Sequence, residues 1–102
     1  MSLPNSIDIL GRRFTVVRES LWRREEGGCL GETCLSPEYR IGIEDSLSES
    51  EAEVIFLHEV VHALLGVTGV SEVLADDHEE AICTALESLL ENYIRREKGD
   101  NT

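Results

Sequence analysis

The pentapeptide His58-Glu59-Val60-Val61-His62 holds the residues of this chain best suited to chemistry. On an α-helix, side chains four positions apart lie one above the other on the same face. Two imidazoles so placed can offer ring nitrogens to one metal ion. Glu59 follows one step around the helix, where its carboxylate can reach a water on that ion and act as a base. This is the mechanical content of the HExxH pattern of zinc hydrolases. The bland explanation is chance, with two satisfied core histidines and a stray acid. The setting argues against it, because His58, Glu59 and His62 are the only ionisable residues between Val54 and Val67. Burying three such groups without a task is expensive.

A third ligand is expected on the following helix, which begins around Ala75 to Asp77 and runs to about Lys98, with Gly99 as C-cap. At about 100° per residue, Ala75, Glu79, Ile82, Cys83, Leu86, Leu89, Leu90 and Tyr93 share one face. Glu80, Thr84, Glu87 and Glu91 fall on the other. Glu79 is then the one carboxylate in the middle of the apolar face, and a carboxylate buried alone needs a partner. Depth agrees: if the two helices pack antiparallel, residues 78 to 80 lie level with His62. Glu79 is therefore the expected third ligand. His78 at the edge of that face and Cys83 one turn deeper are the competitors, thiolate being a good zinc ligand. Asp76 and Glu80 point too far sideways unless the helix starts differently. The plain alternative for Glu79 is a first-turn acid at the positive end of a helix dipole.

The elements that must position these groups divide the chain, a single domain, into a strand-rich half (about 5–45) and a helical half (about 48–98). Ile7 to Leu10, a turn at Gly11-Arg12, and Phe14 to Val17 read as a hairpin. A strand-like piece from Leu30 to Leu35 runs into a Ser36-Pro37 turn. Tyr39 to Ile43 alternates in period two, as a half-buried strand does. Leu21 to Arg24 is ambiguous between helical turn and loop. The motif helix opens on a capping box, Ser48 with Glu51, and ends near Gly66 or Gly69. It is apolar nearly all the way round, so burial on every side is expected, between the sheet and the second helix. Asp77 and Glu80 form a further possible capping pair. The expected fold class is α+β: a small antiparallel sheet of three or four strands packed on two antiparallel helices.

Composition sets the outer bounds. The chain has 102 residues and a formal net charge of −12. That balance repels phosphate backbones and anionic membranes, so neither nucleic acid nor a membrane is an expected partner. Its plain reading is solubility; the sharper one is attraction of cations or a basic partner. No signal-peptide pattern is visible at Met1-Ser2-Leu3-Pro4, and the longest apolar stretch is too short for a bilayer, which points to the cytoplasm. The odd count of cysteines, Cys29, Cys34 and Cys83, argues for free thiols.

A hairpin, a strand ending Tyr39-Arg40-Ile41-Gly42-Ile43, the run Leu57-His-Glu-Val-Val-His-Ala-Leu64, and Glu79-Glu80 on a later helix together resemble the minigluzincins. These are small HExxH metallopeptidase-like proteins of phage and bacterial genomes. More distantly, the chain is similar to ImmA/IrrE-type metallopeptidase domains. The resemblance covers roughly residues 7 to 95, and its specific part is the motif helix. It implies Zn2+ on His58, His62 and Glu79, with Glu59 as catalytic base in peptide-bond hydrolysis. It also implies a peptide or protein substrate lying along residues 39–43 as an edge strand. Tyr39, His78 and Tyr93 are the candidates for stabilising an oxyanion. The alternative function is a non-catalytic zinc-binding interaction protein with a structural or vestigial site. A helical-hairpin module without metal is a third reading.

Overall fold

The structure, a computed structural model, describes residues 3–24 and 27–97, with side chains through residue 93. The expected end of the last helix at Lys98 and Gly99 lies outside the described residues. Strands β1 (Ser6–Ile9) and β2 (Arg12–Glu19) form the expected hairpin. Its two-residue turn places both Leu10 and Gly11 at positive φ, 51° and 84°. A turn with φ > 0 at both central positions matches the twist of the flanking strands. Glycine adopts that conformation freely; Leu10 adopts it with its side chain 61% exposed.

Strands β3 (Gly31–Cys34) and β4 (Arg40–Glu44) follow, and the sheet order is β1-β2-β4-β3. This corrects the expectation of a wholly antiparallel sheet. The β1–β2 and β3–β4 pairs are antiparallel, but β2 and β4 are parallel, with Val16 opposite Ile41. After β2 the chain crosses to the far edge, lays down β3, and returns between β3 and β2. The return strand must then run in the direction of β2. Residues 40–44 are therefore an inner strand, and β3 is the end strand; the expectation of an edge at 39–43 is corrected accordingly. Ile41, Gly42, Ile43 and Glu44 are all buried, where a half-buried strand would alternate: the two isoleucines join the core, Gly42 lies beneath the Glu19, Glu32 and Arg40 side chains, and Glu44 is covered by the Leu21–Trp22 segment.

Glu44 anchors the crossing. Its Oε1 accepts from the backbone N–H of Leu21 and of Trp22, each at 2.7 Å, and its Oε2 accepts from the Ser46 hydroxyl at 2.6 Å. These bonds to the ionised form, first that of Ser46 and then the two amides, hold its pKa down to about 2. The segment that was ambiguous between helical turn and loop is thus a turn, with Leu21 fully buried and Trp22 exposed.

Helix α1 (Glu49–Thr68) begins with the full capping box. The Glu51 amide donates to Ser48 Oγ at 3.2 Å, and the Ser48 amide donates to Glu51 Oε1 at 3.0 Å. It ends at Gly69, which is left-handed with φ 83°. One face of α1 lies on the sheet, where Ala52, Phe56 and Ala63 join Ile9, Phe14, Val16, Ile41 and Ile43 in the core. Each large apolar side chain buried there stabilises the fold by about 1.5–3 kcal/mol. After a 3-10 turn (Val70–Glu72), helix α2 (Asp76–Glu97) packs on the other side of α1. The layers run sheet, α1, α2. The sheet rests on α1 rather than on both helices. Burial of α1 on every side does not follow, since Leu64 is 40% exposed. Among the described residues, no helix is long and apolar enough to cross a membrane.

Candidate metal centre

The site forms where α1, α2 and β3 meet. The four-residue spacing on α1 stacks His58 and His62, with ring centroids 4.9 Å apart and planes at 61°. Both rings face α2, and carboxylates from that helix reach every ring nitrogen. His58 Nδ1 lies 2.8 Å from Glu87 Oε1, and His62 Nδ1 lies 2.6 Å from Glu79 Oε2. On the opposite side of the rings, Glu80 spans both: Oε1 is 2.8 Å from His58 Nε2, and Oε2 is 3.2 Å from His62 Nε2. The descending order of partners, 87 and 80 for His58 and 79 for His62, is what an antiparallel helix pair gives.

Glu59 turns the other way, toward β3, and is 8% exposed. Thr33 Oγ1 lies 2.7 Å from Glu59 Oε1 and 3.0 Å from the Glu59 carbonyl oxygen. Burial raises the Glu59 pKa above the ordinary carboxylate value, and the Thr33 contact and the nearby histidines only partly oppose it. A base raised toward neutrality is better matched to proton transfer at neutral pH. Gly31 leaves the space beside this carboxylate open. A Cβ at that position would stand 3.1 Å from Glu59 Oε2 and 2.6 Å from Ile55 Cγ2. A cleft of about 340 Å³ opens here, bounded by Gly31 and Thr33 of β3 and by Glu59, His62, Glu79 and Glu80 of the helices.

The chemistry of the donor set decides what fits between the rings. A neutral imidazole carries one N–H. If each Nδ1–H donates to its carboxylate, each Nε2 presents a lone pair to Glu80, itself an acceptor. Two lone pairs and a carboxylate converging on one region repel unless a cation lies among them. A proton on the imidazoles is one solution. Burial lowers the His58 pKa, but its bonds to Glu87 and Glu80 outweigh this and the net shift is upward. For Glu80 the balance is similar: burial raises its pKa, and the histidines pull it below the ordinary value. A divalent ion is the other solution. Metal-ligating histidines characteristically donate their second N–H to a carboxylate, which fixes tautomer and ring orientation. Glu79 and Glu87 are placed to do this.

Of the expected site residues, Glu59, His62 and Glu79 line one cleft, and His58 stacks on His62 beside it. Glu79 meets His62 at Nδ1, however, with the Ser71 hydroxyl as the main cause of its lowered pKa and His62 second. Glu80, expected to point sideways and to cap α2, faces both Nε2 atoms instead. The face of α2 is rotated from the apolar wheel: Leu89 and Tyr93 are 64% and 63% exposed, whereas Glu87 turns inward. The sequence carried a signal for this, since Glu80, Cys83 and Glu87 form an i, i+3, i+7 stripe. Cys83 is fully buried, and its Sγ and a ring nitrogen of each histidine all lie within 4.8 Å of one another. Burial first, and then the surrounding carboxylates, push its thiol pKa up to about 12. His78 is exposed in the first turn of α2, and Asp76 is exposed beside it. Tyr39 packs on Phe14, ring centroids 5.0 Å apart. Among the described residues, none of Tyr39, His78 and Tyr93 lines the cleft. Thr33 was not singled out in the sequence and Glu87 was placed on the outer face of α2, because the roles of both depend on the neighbouring element. All three cysteines are free thiols.

Compared with protein-family models, with curated proteins and with solved structures, the chain matches none.

Proposed function

We propose that this protein is a zinc-dependent hydrolase of peptide bonds, with His58, His62 and Glu80 as metal ligands and Glu59 as general base. The observation that carries the reading is the two-sided arrangement of the imidazoles. Nδ1 of each is held by its own glutamate, while both Nε2 atoms converge on Glu80. Glu79, the ligand expected from the helical wheel, becomes the residue that orients His62. When bound, the ion would polarise the scissile carbonyl and lower the pKa of the attacking water. Glu59 accepts that water's proton and passes it to the leaving nitrogen. Thr33 fixes one carboxylate oxygen of Glu59, and the missing side chain at Gly31 keeps space beside the other.

The substrate in this reading is an extended peptide. The end strand β3 lines the cleft, so a peptide can add to it through backbone hydrogen bonds, a role β4 cannot take with both neighbours in place. The free thiols suit a reducing compartment, and we place the protein in the cytoplasm. The test is Glu59→Gln, assayed for zinc content and for cleavage of a mixed peptide library. Zinc retained with cleavage abolished supports the assignment. Cleavage at the parent rate refutes Glu59 as base. Zinc bound by a parent that cleaves no peptide would favour the non-catalytic interaction protein.

A further inference from the structure

Cys83 stands near the same two imidazoles as Glu80. It lies three residues further along α2, one turn, and among the described residues of α2 through position 93 it is the only buried one. Glu80 is 59% exposed at the mouth of the cleft, whereas Cys83 has no exposed surface. Its Sγ and a nitrogen of each histidine fall within 4.8 Å of one another, a convergence of two nitrogens and a sulfur. As a small apolar filler, the residue would need only to occupy volume. Here its sulfur stands within reach of two imidazole nitrogens that a single ion could share.

We propose that Cys83 is a sulfur donor to the ion held by His58 and His62, giving a nitrogen, oxygen and thiolate donor set; with Glu80 the protein supplies four donors, and the water of the proposed reaction would enter as a fifth ligand. Such a set selects borderline-soft ions such as zinc over magnesium, calcium or manganese. The proposal rests on the reading of His58 and His62 as metal ligands. On metal uptake the thiol gives its proton to solvent and its sulfur lone pair to the ion, with no redox change. Zinc occupancy then depends on the thiol, and blocking or oxidising Cys83 would weaken it.

Cobalt(II) tests this, because it reports sulfur ligation independently of activity. The full chain loaded with cobalt(II) should show visible d–d bands and a sulfur-to-cobalt charge-transfer band in the near ultraviolet. The charge-transfer band should vanish in Cys83→Ser, with the d–d bands kept. It should persist in the Cys29→Ser/Cys34→Ser double variant. Cys83→Ala serves if circular dichroism shows that the serine variant is unfolded, and the spectrum of the parent needs no variant. A parent spectrum with d–d bands but no charge-transfer band overturns the proposal and leaves the metal site standing. A charge-transfer band that follows Cys29 or Cys34 also overturns it. No cobalt bands at all removes the metal reading and this proposal together.

Discussion

Substituting the three α2 glutamates one at a time separates ligand from support. In the structure, Glu79 and Glu87 each lie beside one Nδ1, at 2.6 Å and 2.8 Å, in surroundings where their side chains are only 17% and 20% exposed. Glu→Gln keeps an acceptor of the same shape and removes the charge. A hydrogen bond to a charged group contributes about 1.5–3 kcal/mol and a neutral one about 0.5–1.5. The difference, about 1–1.5 kcal/mol, is roughly tenfold in zinc affinity. That falls at the lower end of the roughly 10- to 100-fold losses seen when a partner of a metal-bound histidine is removed. Glu79→Ala and Glu87→Ala, which also remove the acceptor, should approach the upper end. Glu80→Gln removes a ligand and its charge, and should cost more than either Gln variant. The assay is competitive zinc titration against a chromophoric chelator at fixed pH. If Glu79→Gln abolishes zinc binding while Glu80→Gln stays within tenfold of the parent, the roles are reversed and Glu79 is the ligand. Three losses below twofold would mean that the carboxylates do not serve a metal.

Two further outcomes follow from the same geometry. Gly31→Ala places a methyl group 2.6 Å from Ile55 Cγ2 and 3.1 Å from Glu59 Oε2; it should destabilise the fold by about 1–3 kcal/mol, as overpacking does, and slow cleavage further than zinc affinity falls, read by urea denaturation and by kinetics. The metal-free protein should lose stability as pH rises. The folded-state pKa of His58 is raised above its ordinary 6.5, so the stability it contributes is complete below about 6.5 and is lost as pH climbs through the higher folded value. With zinc bound the trend should reverse, because protons compete with the ion for the imidazoles; thermal melts with and without zinc across this range would show both slopes, and parallel slopes would contradict the account.

The parts of the fold written in local chemistry were legible in the sequence. The Ser48–Glu51 box and Gly69 bound α1 as expected, because caps are satisfied by residues three or four positions away. The hairpin at Leu10–Gly11 is local in the same sense. The parallel pairing of β2 with β4 was not legible, because it is set by where the chain crosses after Glu19, and the Glu44 contacts that fix the crossing span more than twenty residues. The motif histidines were evident from spacing alone. Glu79 was expected to face them and does meet His62, but the inward turn of Glu80 and Glu87 was not legible, because apolar periodicity was taken to choose the inner face of α2. That helix packs on α1, not on the sheet, and the histidines draw three carboxylates inward while Leu89 and Tyr93 stay exposed. Where polar pairing outweighs apolar burial, a hydrophobic wheel points the wrong way.

The central claim is that the imidazoles of α1 and a carboxylate of α2 share one ion. Anomalous diffraction at the zinc edge, on crystals of the full chain grown with stoichiometric zinc, tests it most directly. The expected result is one zinc per chain bound to Nε2 of His58, Nε2 of His62 and the Glu80 carboxylate, with the Cys83 sulfur beside them if the thiolate is a donor and with Glu79 and Glu87 still on the two Nδ1 atoms. Histidines bonded on both sides to glutamates, with no anomalous peak between the rings, would contradict it.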